Sequence, residues 1–300
     1  MTKQRLLLVS PVRNEAAHLD AVIAAIEAQA RKPDLWLVVD DGSHDETASI
    51  ARTAADRLPF LRVLEMPQDG TTGDNEARLE RAAEARAFNW ALSQVEAERF
   101  THIAKLDGDI ELCPGYFRRL LEEFDNHPRL GVAGGAFAER GRRGWRRVRT
   151  PPHHVPGGLK VYSRECFEAI GGIREYLGWD TIDETSARMR GFETRCTPEL
   201  VVRHHRSWGS VGGRLRGRAR YGRCAYAARY PVAWVVARSL KIAATPPAGL
   251  SGVAFLFGYT RAAVRRVPRA DRAYARFVRA ELWARLASRR RAPVWPRGAD

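Results

Sequence analysis

The chain is poor in cysteine and, over its last third, poor in negative charge. Only four of its 300 residues are cysteine (Cys113, Cys166, Cys196, Cys224), and none forms a Cys-x-x-Cys pair. That scarcity argues against a zinc ribbon or a disulfide-stapled scaffold and favours a reducing compartment. No long apolar run opens the sequence. Residues 6–9 are too short for a secretory signal and read as a first strand. The expected location is therefore cytoplasmic, peripheral on the inner face of the cell membrane. The longest uncharged stretch, residues 242–260, has 19 residues but contains Pro246, Pro247, Gly249, Gly252 and Gly258. A regular spanning helix would leave those backbone groups unsatisfied in lipid, so a broken or interfacial segment is expected. No Gly-x-Gly-x-x-Gly follows the first strand, and no Gly-x-x-x-x-Gly-Lys-Ser/Thr occurs. Both absences speak against a dinucleotide dehydrogenase and a P-loop NTPase.

What is present is a globular composition, 45% hydrophobic, which excludes wholesale disorder. The net charge of +15 is unevenly spread. Residues 201–300 hold 22 Arg and Lys against three acids (Asp271, Glu281, Asp300), a net of +19, which leaves −4 for residues 1–200. Along the body, apolar strand candidates (6–10, 35–39, 60–64, 102–106) alternate with helical patterns (15–30, 45–57, 75–98), with a polar loop at 67–74. That alternation predicts an α/β domain with a mostly parallel sheet, whose ligands bind at the carboxyl ends of the strands. Polar clusters sit at those ends: Arg13-Asn14-Glu15, Asp40-Asp41 and Asp107-Gly108-Asp109. Further on, the pattern predicts a mobile loop at 141–157, a strand at 159–163, helices at 164–170 and 183–190, Arg-rich helices at 214–229, apolar pieces at 232–257, a basic helix at 261–291 and a disordered tail at 289–300.

Asp107-x-Asp109 is the sharpest chemical feature. Two carboxylates two residues apart, just past a strand, can converge on Mg2+ or Mn2+ and leave room for phosphate oxygens. A solvated loop also produces this string. Asp40-Asp41-Gly42-Ser43 serves as turn and helix cap, with Ser43 or Asp45 capping, yet two adjacent acids exceed that need.

Taken in order, three runs resemble family 2 glycosyltransferases of the GT-A fold. They are Val9-Ser10-Pro11-Val12-Arg13-Asn14-Glu15, then Val38-Val39-Asp40-Asp41-Gly42-Ser43-x-Asp45-x-Thr47, then Leu106-Asp107-Gly108-Asp109. Gly171-Gly172 after Tyr162-Ser163-Arg164 is similar to the family's acceptor-side segment, and Gly178-Trp179-Asp180-Thr181-Ile182-Asp183-Glu184 to its catalytic acidic segment. The resemblance covers about residues 5–230. It implies a Rossmann-like, mostly parallel sheet flanked by helices, a nucleotide-diphospho-sugar donor, and metal-dependent, inverting transfer to a glycan or lipid-linked acceptor. By that similarity Pro11, Arg13 and Glu15 line the nucleotide pocket; Asp41, alone or with Asp40, holds the base; and Arg86 reaches the diphosphate. Asp107 and Asp109 bind the metal, joined by His204 or His205. The base that deprotonates the acceptor is Asp183 or Glu184. The family's Glu-Asp order is reversed here, and Gly191 follows sooner than in the family pattern.

The expected division is a catalytic domain at 1–210 and a basic, partly amphipathic helical extension at 211–300. Arginines interleaved with Trp208, Trp234, Phe255, Phe257, Tyr259 and Trp283 suit an anionic membrane surface. A merely basic solvated surface is the plainer reading. A nucleic-acid surface lacks any recognition motif, so no nucleic-acid partner is expected. The rival enzyme class, a sugar-phosphate nucleotidyltransferase, would carry a Gly-rich basic loop after the first strand, which Arg13-Asn14-Glu15 does not supply.

Overall fold

The computed structural model describes residues 4–67, 82–141, 144–206 and 213–289. It divides into two compact units, residues 1–217 and 218–300. The first opens with three strand–helix repeats: β1 (Leu6–Val12), α1 (Ala16–Glu27), β2 (Leu35–Asp40), α2 (Thr47–Arg57), β3 (Leu61–Glu65) and α3 (Ala83–Leu92). Then follow β4 (His102–Leu106), β5 (Ile110–Glu111), α4 (Tyr116–Asn126), β6 (Leu130–Gly141), β7 (Gly144–Arg147), β8 (Leu159–Ser163), α5 (Arg164–Ile170), α6 (Trp179–Met189) and β9 (Glu193–His204).

These strands form one nine-stranded sheet in the order β3-β2-β1-β4-β8-β6-β9-β5, with β7 paired to β6. β1 is parallel to β2 and β4, and β2 to β3. β8 runs antiparallel to both β4 and β6, and β9 runs parallel to β6. The sheet is therefore mostly parallel with reversed insertions. β1 reads as a continuous apolar run because both of its faces are covered. Leu6 and Leu8 point into the cluster with α1 and α4, and Leu7 and Val9 into the one with α3, α5 and α6.

Strands β4 and β8 and helix α5 match the sequence pattern to the residue. Helix α6 starts four residues before the predicted helix, at Trp179. The predicted mobile loop at 141–157 instead begins as a hairpin, with Ala138 opposite Arg147 and Arg140 opposite Trp145. All but the first residue of the polar loop at 67–74, the first seven residues of the helix predicted at 75–98, and nearly all of the tail lie outside the described residues.

The second unit holds most of α7 (Arg214–Ala227), then α8 (Val232–Ala243), α9 (Leu250–Val264) and α10 (Arg272–Arg289). The basic helix predicted at 261–291 is thus split between α9 and α10. The uncharged stretch at 242–260 is broken as its prolines require, α8 ending before the Pro246–Pro247 pair and α9 starting after it. Among the described residues no helix is long and apolar enough to cross a membrane.

Candidate active site

Strand β1 lies between β2 and β4, so the loops that leave the carboxyl ends of all three meet at one edge of the sheet. The first two loops are stitched together. Arg13 Nη1 donates to the Asp41 carbonyl (2.6 Å), Asn14 N donates to Ser43 Oγ (3.1 Å), and His44 N donates to Asn14 Oδ1 (2.9 Å). Asn14 adopts φ 53°, which turns the chain and leaves Glu15 N to donate to Thr47 Oγ1 at 2.7 Å. Asp45 accepts from Thr47 N (3.0 Å) and from Ala16 N (3.2 Å), serving the starts of two helices at once. Asp40 is buried and accepts from Ser43 N and its hydroxyl, so its carboxylate closes the turn. Asp41 is half-buried beside it, and Pro11 pairs in register with Val39.

The third loop carries the Asp-x-Asp pair. Immediately after it, β5 pairs antiparallel with the end of β9, setting Ile110 opposite His204. That pairing brings His204 Nε2 within 3.5 Å of Asp109 Oδ2, and Arg206 Nε within 3.9 Å of the same oxygen. Arg206 Nη2 also donates to Glu15 Oε2 at 2.6 Å. Burial drives the Glu15 carboxyl up to about 8, reinforced by Asp109 and Asp107 and opposed by Arg206. Asp107 rises to about 7, chiefly through burial and against the pull of Lys105. Burial works the same way on Asp109, but His204 and Arg206 outweigh it and hold that carboxyl below the usual range. Burial would lower His204, and Asp109 outweighs it to hold the ring above its ordinary value. His205 turns away from the pair: its Nε2 lies 3.1 Å from Glu111, and its ring stacks on His18 and meets Trp145 edge-on.

Asp107 and Asp109 from one loop, with the Glu15 carboxyl that they hold up and the His204 imidazole beside Asp109, suit a divalent cation in their chemistry. Among the described residues no three His, Cys, Asp or Glu side chains gather as a closed metal cage. Any cation here would therefore need further oxygen ligands.

Beneath this edge lies a group that the sequence reading missed. Lys105 and Lys160 face each other across β4 and β8, and both are fully buried. Both ammonium groups approach the Trp179 ring, at 5.2 and 5.6 Å from its centroid. Lys105 binds Asp107 Oδ1 and lies 3.5 Å from Glu84, whose other oxygen accepts from Trp179 Nε1 (3.1 Å). Lys160 donates to Asp183 (2.8 Å), to Glu184 (3.1 Å) and to the Asp180 carbonyl. A lysine inside each of the apolar strands His102–Leu106 and Leu159–Ser163 was the available signal.

Asp183 and Glu184, expected to supply the base, are 3% and 2% exposed. Asp183 is occupied by Lys160 and the Tyr162 hydroxyl, and Glu184 by Lys160, Val155 N and His154. Both carboxylates are thus engaged inside the protein, on a stretch of α6, residues 182–185, that is buried at every position. Asp180, in the first turn, is half-buried and lies against Gly157, where a Cβ would meet Asp180 Oδ2 at 3.2 Å. A Cβ on the next residue, Gly158, would meet Asp107 Oδ2 at 2.8 Å. The two glycines thus let Asp180 and Asp107 approach the same stretch of backbone. Arg86 lies half-buried on α3, two residues beyond Glu84.

Comparison with known proteins bears on the family and the fold. A curated cholesterol galactosyltransferase from Borreliella burgdorferi is 24% identical over 131 residues, covering 39% of this chain and 37% of that protein's own length. Among solved structures, the mannosyltransferase PcManGT from Pyrobaculum calidifontis, in complex with GDP-Man and Mn2+, superposes with a TM-score of 0.54 at 18% identity. That match covers 97% of this chain and 83% of the other. S. aureus TarS 1-349 in complex with UDP-GlcNAc gives a TM-score of 0.55 at 14% identity, over 86% of this chain and 72% of the other. At these identities the likeness establishes the GT-A fold. The model of glycosyl transferase family 2 matches residues 8–182, more than half of the chain, and the protein belongs to that family.

Proposed function

We propose that the protein transfers a sugar from a nucleotide-diphospho-sugar to a hydroxyl of a glycan or lipid-linked acceptor, with inversion and with Mg2+ or Mn2+. The observation that carries this reading is the convergence of Glu15, Asp107, Asp109, His204 and Arg206 at the carboxyl edge of the sheet, with Asp180 beside Gly157-Gly158. The donor complexes of PcManGT with GDP-Man and Mn2+ and of TarS with UDP-GlcNAc support the donor class.

Asp109 and Asp107 would hold the cation, with His204 steadying Asp109, and the cation would supply positive charge to the departing diphosphate. Pro11, Arg13 and Asp41 line the nucleoside side, while Asp40 shapes the turn. Arg206 keeps Glu15 and Asp109 in one cluster, and Arg86 approaches the diphosphate from α3. Asp180 takes the acceptor proton as that oxygen bonds to the anomeric carbon and the bond to the diphosphate breaks. The first-turn position suits an anion, because the helix start is positive. Asp183 and Glu184 act instead through Lys160, fixing the helix that presents Asp180.

A panel of UDP-, GDP- and dTDP-sugars, assayed with Mn2+ and then with a chelator, tests the reading. Release of nucleoside diphosphate that stops on chelation supports it. Pyrophosphate as product would favour a nucleotidyltransferase and overturn it. Asp109→Asn and Asp180→Asn should each lower turnover by about a hundredfold or more. Full activity of Asp180→Asn together with loss in Asp183→Asn would return the base to Asp183.

A further inference from the structure

The second unit carries exposed apolar side chains on both helices of its central pair, α8 and α9. Val232, Val236 and Leu240 recur every four residues along α8 and are 65%, 46% and 70% exposed. Leu250, Val253 and Phe257 follow at spacings of three and four residues on α9, at 57%, 64% and 57%. Another side of each helix is already used. Val235, Ile242 and Phe255 are buried in a common cluster, and Ser239 Oγ donates to the Gly252 carbonyl at 3.1 Å. Each helix thus has one satisfied apolar face and a second one facing water, which a solvated surface does not need.

The charge on these helices has one sign. No Asp or Glu occurs between Glu199 and Asp271. Arg238 and Lys241 on α8, and Arg261, Arg265 and Arg266 at the end of α9, are exposed. Arg238 also lies 5.6 Å from the Trp234 ring centroid, and that ring stacks on Tyr230 at 4.1 Å. Exposed apolar arcs on helices that also carry cations and aromatic rings but no acid, and that are too short and too interrupted to span, match the interface of a bilayer with anionic headgroups. A nucleic acid would satisfy the cations but not the valines, leucines and phenylalanine.

We propose that α8 and α9 dock the protein peripherally on an anionic phospholipid membrane, with Val232, Val236, Leu240, Leu250, Val253 and Phe257 entering the headgroup layer. This docking is independent of the catalytic reading. Burying a Leu or Phe side chain changes partitioning by about tenfold or more, and the attraction between the arginines and the headgroups weakens with salt.

The test is co-flotation of the full chain with phosphatidylcholine vesicles, with and without phosphatidylglycerol. The expected result is association with the anionic vesicles only, weakened by salt. Leu240→Ser with Phe257→Ser should reduce it by about a hundredfold, and Arg238→Glu with Lys241→Glu by about tenfold or more. All four positions are exposed, so an unchanged melting curve separates lost docking from lost fold. Any of three results overturns the proposal: no association with anionic vesicles, equal association of the apolar double variant, or a dimer that this variant dissolves while vesicles remain unbound. Donor turnover in vesicle-free solution reports on the transferase reading separately, and the docking variants should leave it unchanged.

Discussion

Replacing Lys160 with methionine probes the buried frame beneath the site. Lys160 is fully buried, and its ammonium lies 2.8 Å from Asp183 and 3.1 Å from Glu184. At an effective dielectric of about 20, a charge pair at the 2.8 Å separation is worth about 6 kcal/mol, from which the cost of burying the lysine must be subtracted. Burial drives Asp183 up to about 6 even with Lys160 present, whereas Lys160, His154 and Arg188 outweigh burial at Glu184 and hold it at about 2. Methionine fills similar volume but leaves two adjacent buried acids without their shared cation. Losing one partner of a buried pair costs about 3–5 kcal/mol, which lowers the melting temperature of a domain of this size by about 10 °C. The assay is thermal unfolding followed by circular dichroism, with Lys160→Met, Asp183→Asn and the double variant in parallel. The double variant should recover about half of the loss, because it removes the orphaned charge while the amide can still meet Tyr162. A loss below about 1 kcal/mol for Lys160→Met, or additive losses in the double variant, would refute the reasoning.

Further outcomes are expected. His102 is buried, and its ring is held down to about 4 from an ordinary 6.5, mainly by burial. As pH falls the unfolded chain protonates first, so this contribution is complete above 6.5 and is lost as pH falls through 4, a total of about 3 kcal/mol. Urea unfolding across that window should show the slope, and His102→Phe should flatten it. Gly158→Ala would push a methyl to 2.6 Å from Ile110 Cδ1 and 2.8 Å from Asp107 Oδ2, so turnover should fall by about tenfold or more with a smaller change in melting temperature. Burial pushes the Cys166 and Cys196 thiols up to about 12 and 11. Both should resist iodoacetamide in the native state and react at once in urea, as mass spectrometry would read.

The elements visible in the sequence were those with strong, uninterrupted patterns. β4 and β8 stand out because apolar residues bounded by turn signals read directly as buried strands, and α5 because Gly171-Gly172 stops it with φ of 75° and 73°. β6 escaped notice because Gly131, Gly134 and Gly135 dilute its β character. Those glycines have a tertiary cause: a Cβ at Gly135 would lie 2.1 Å from the Leu200 carbonyl oxygen, at a register shift between β6 and β9. Local composition cannot reveal so close an approach. The inward turn of Asp183 and Glu184 was equally hidden, since α6 begins earlier than its apolar residues suggest.

The sequence by itself determined the alternation of strand and helix, the family resemblance, the acids at strand ends and the division between an acidic body and a basic last third. These are properties of short windows, set by periodicity and turn chemistry. Only the tertiary structure decided which of these side chains meet. Pairing of β5 with β9 brings the imidazole of His204 rather than that of His205 to the Asp109 carboxylate, and register between β4 and β8 stacks Lys105 against Lys160 beside Trp179. Asp109 and His204, and Lys105 and Lys160, are separated by 55 residues or more in sequence, and a one-residue slip in either register would turn the side chains to the opposite face.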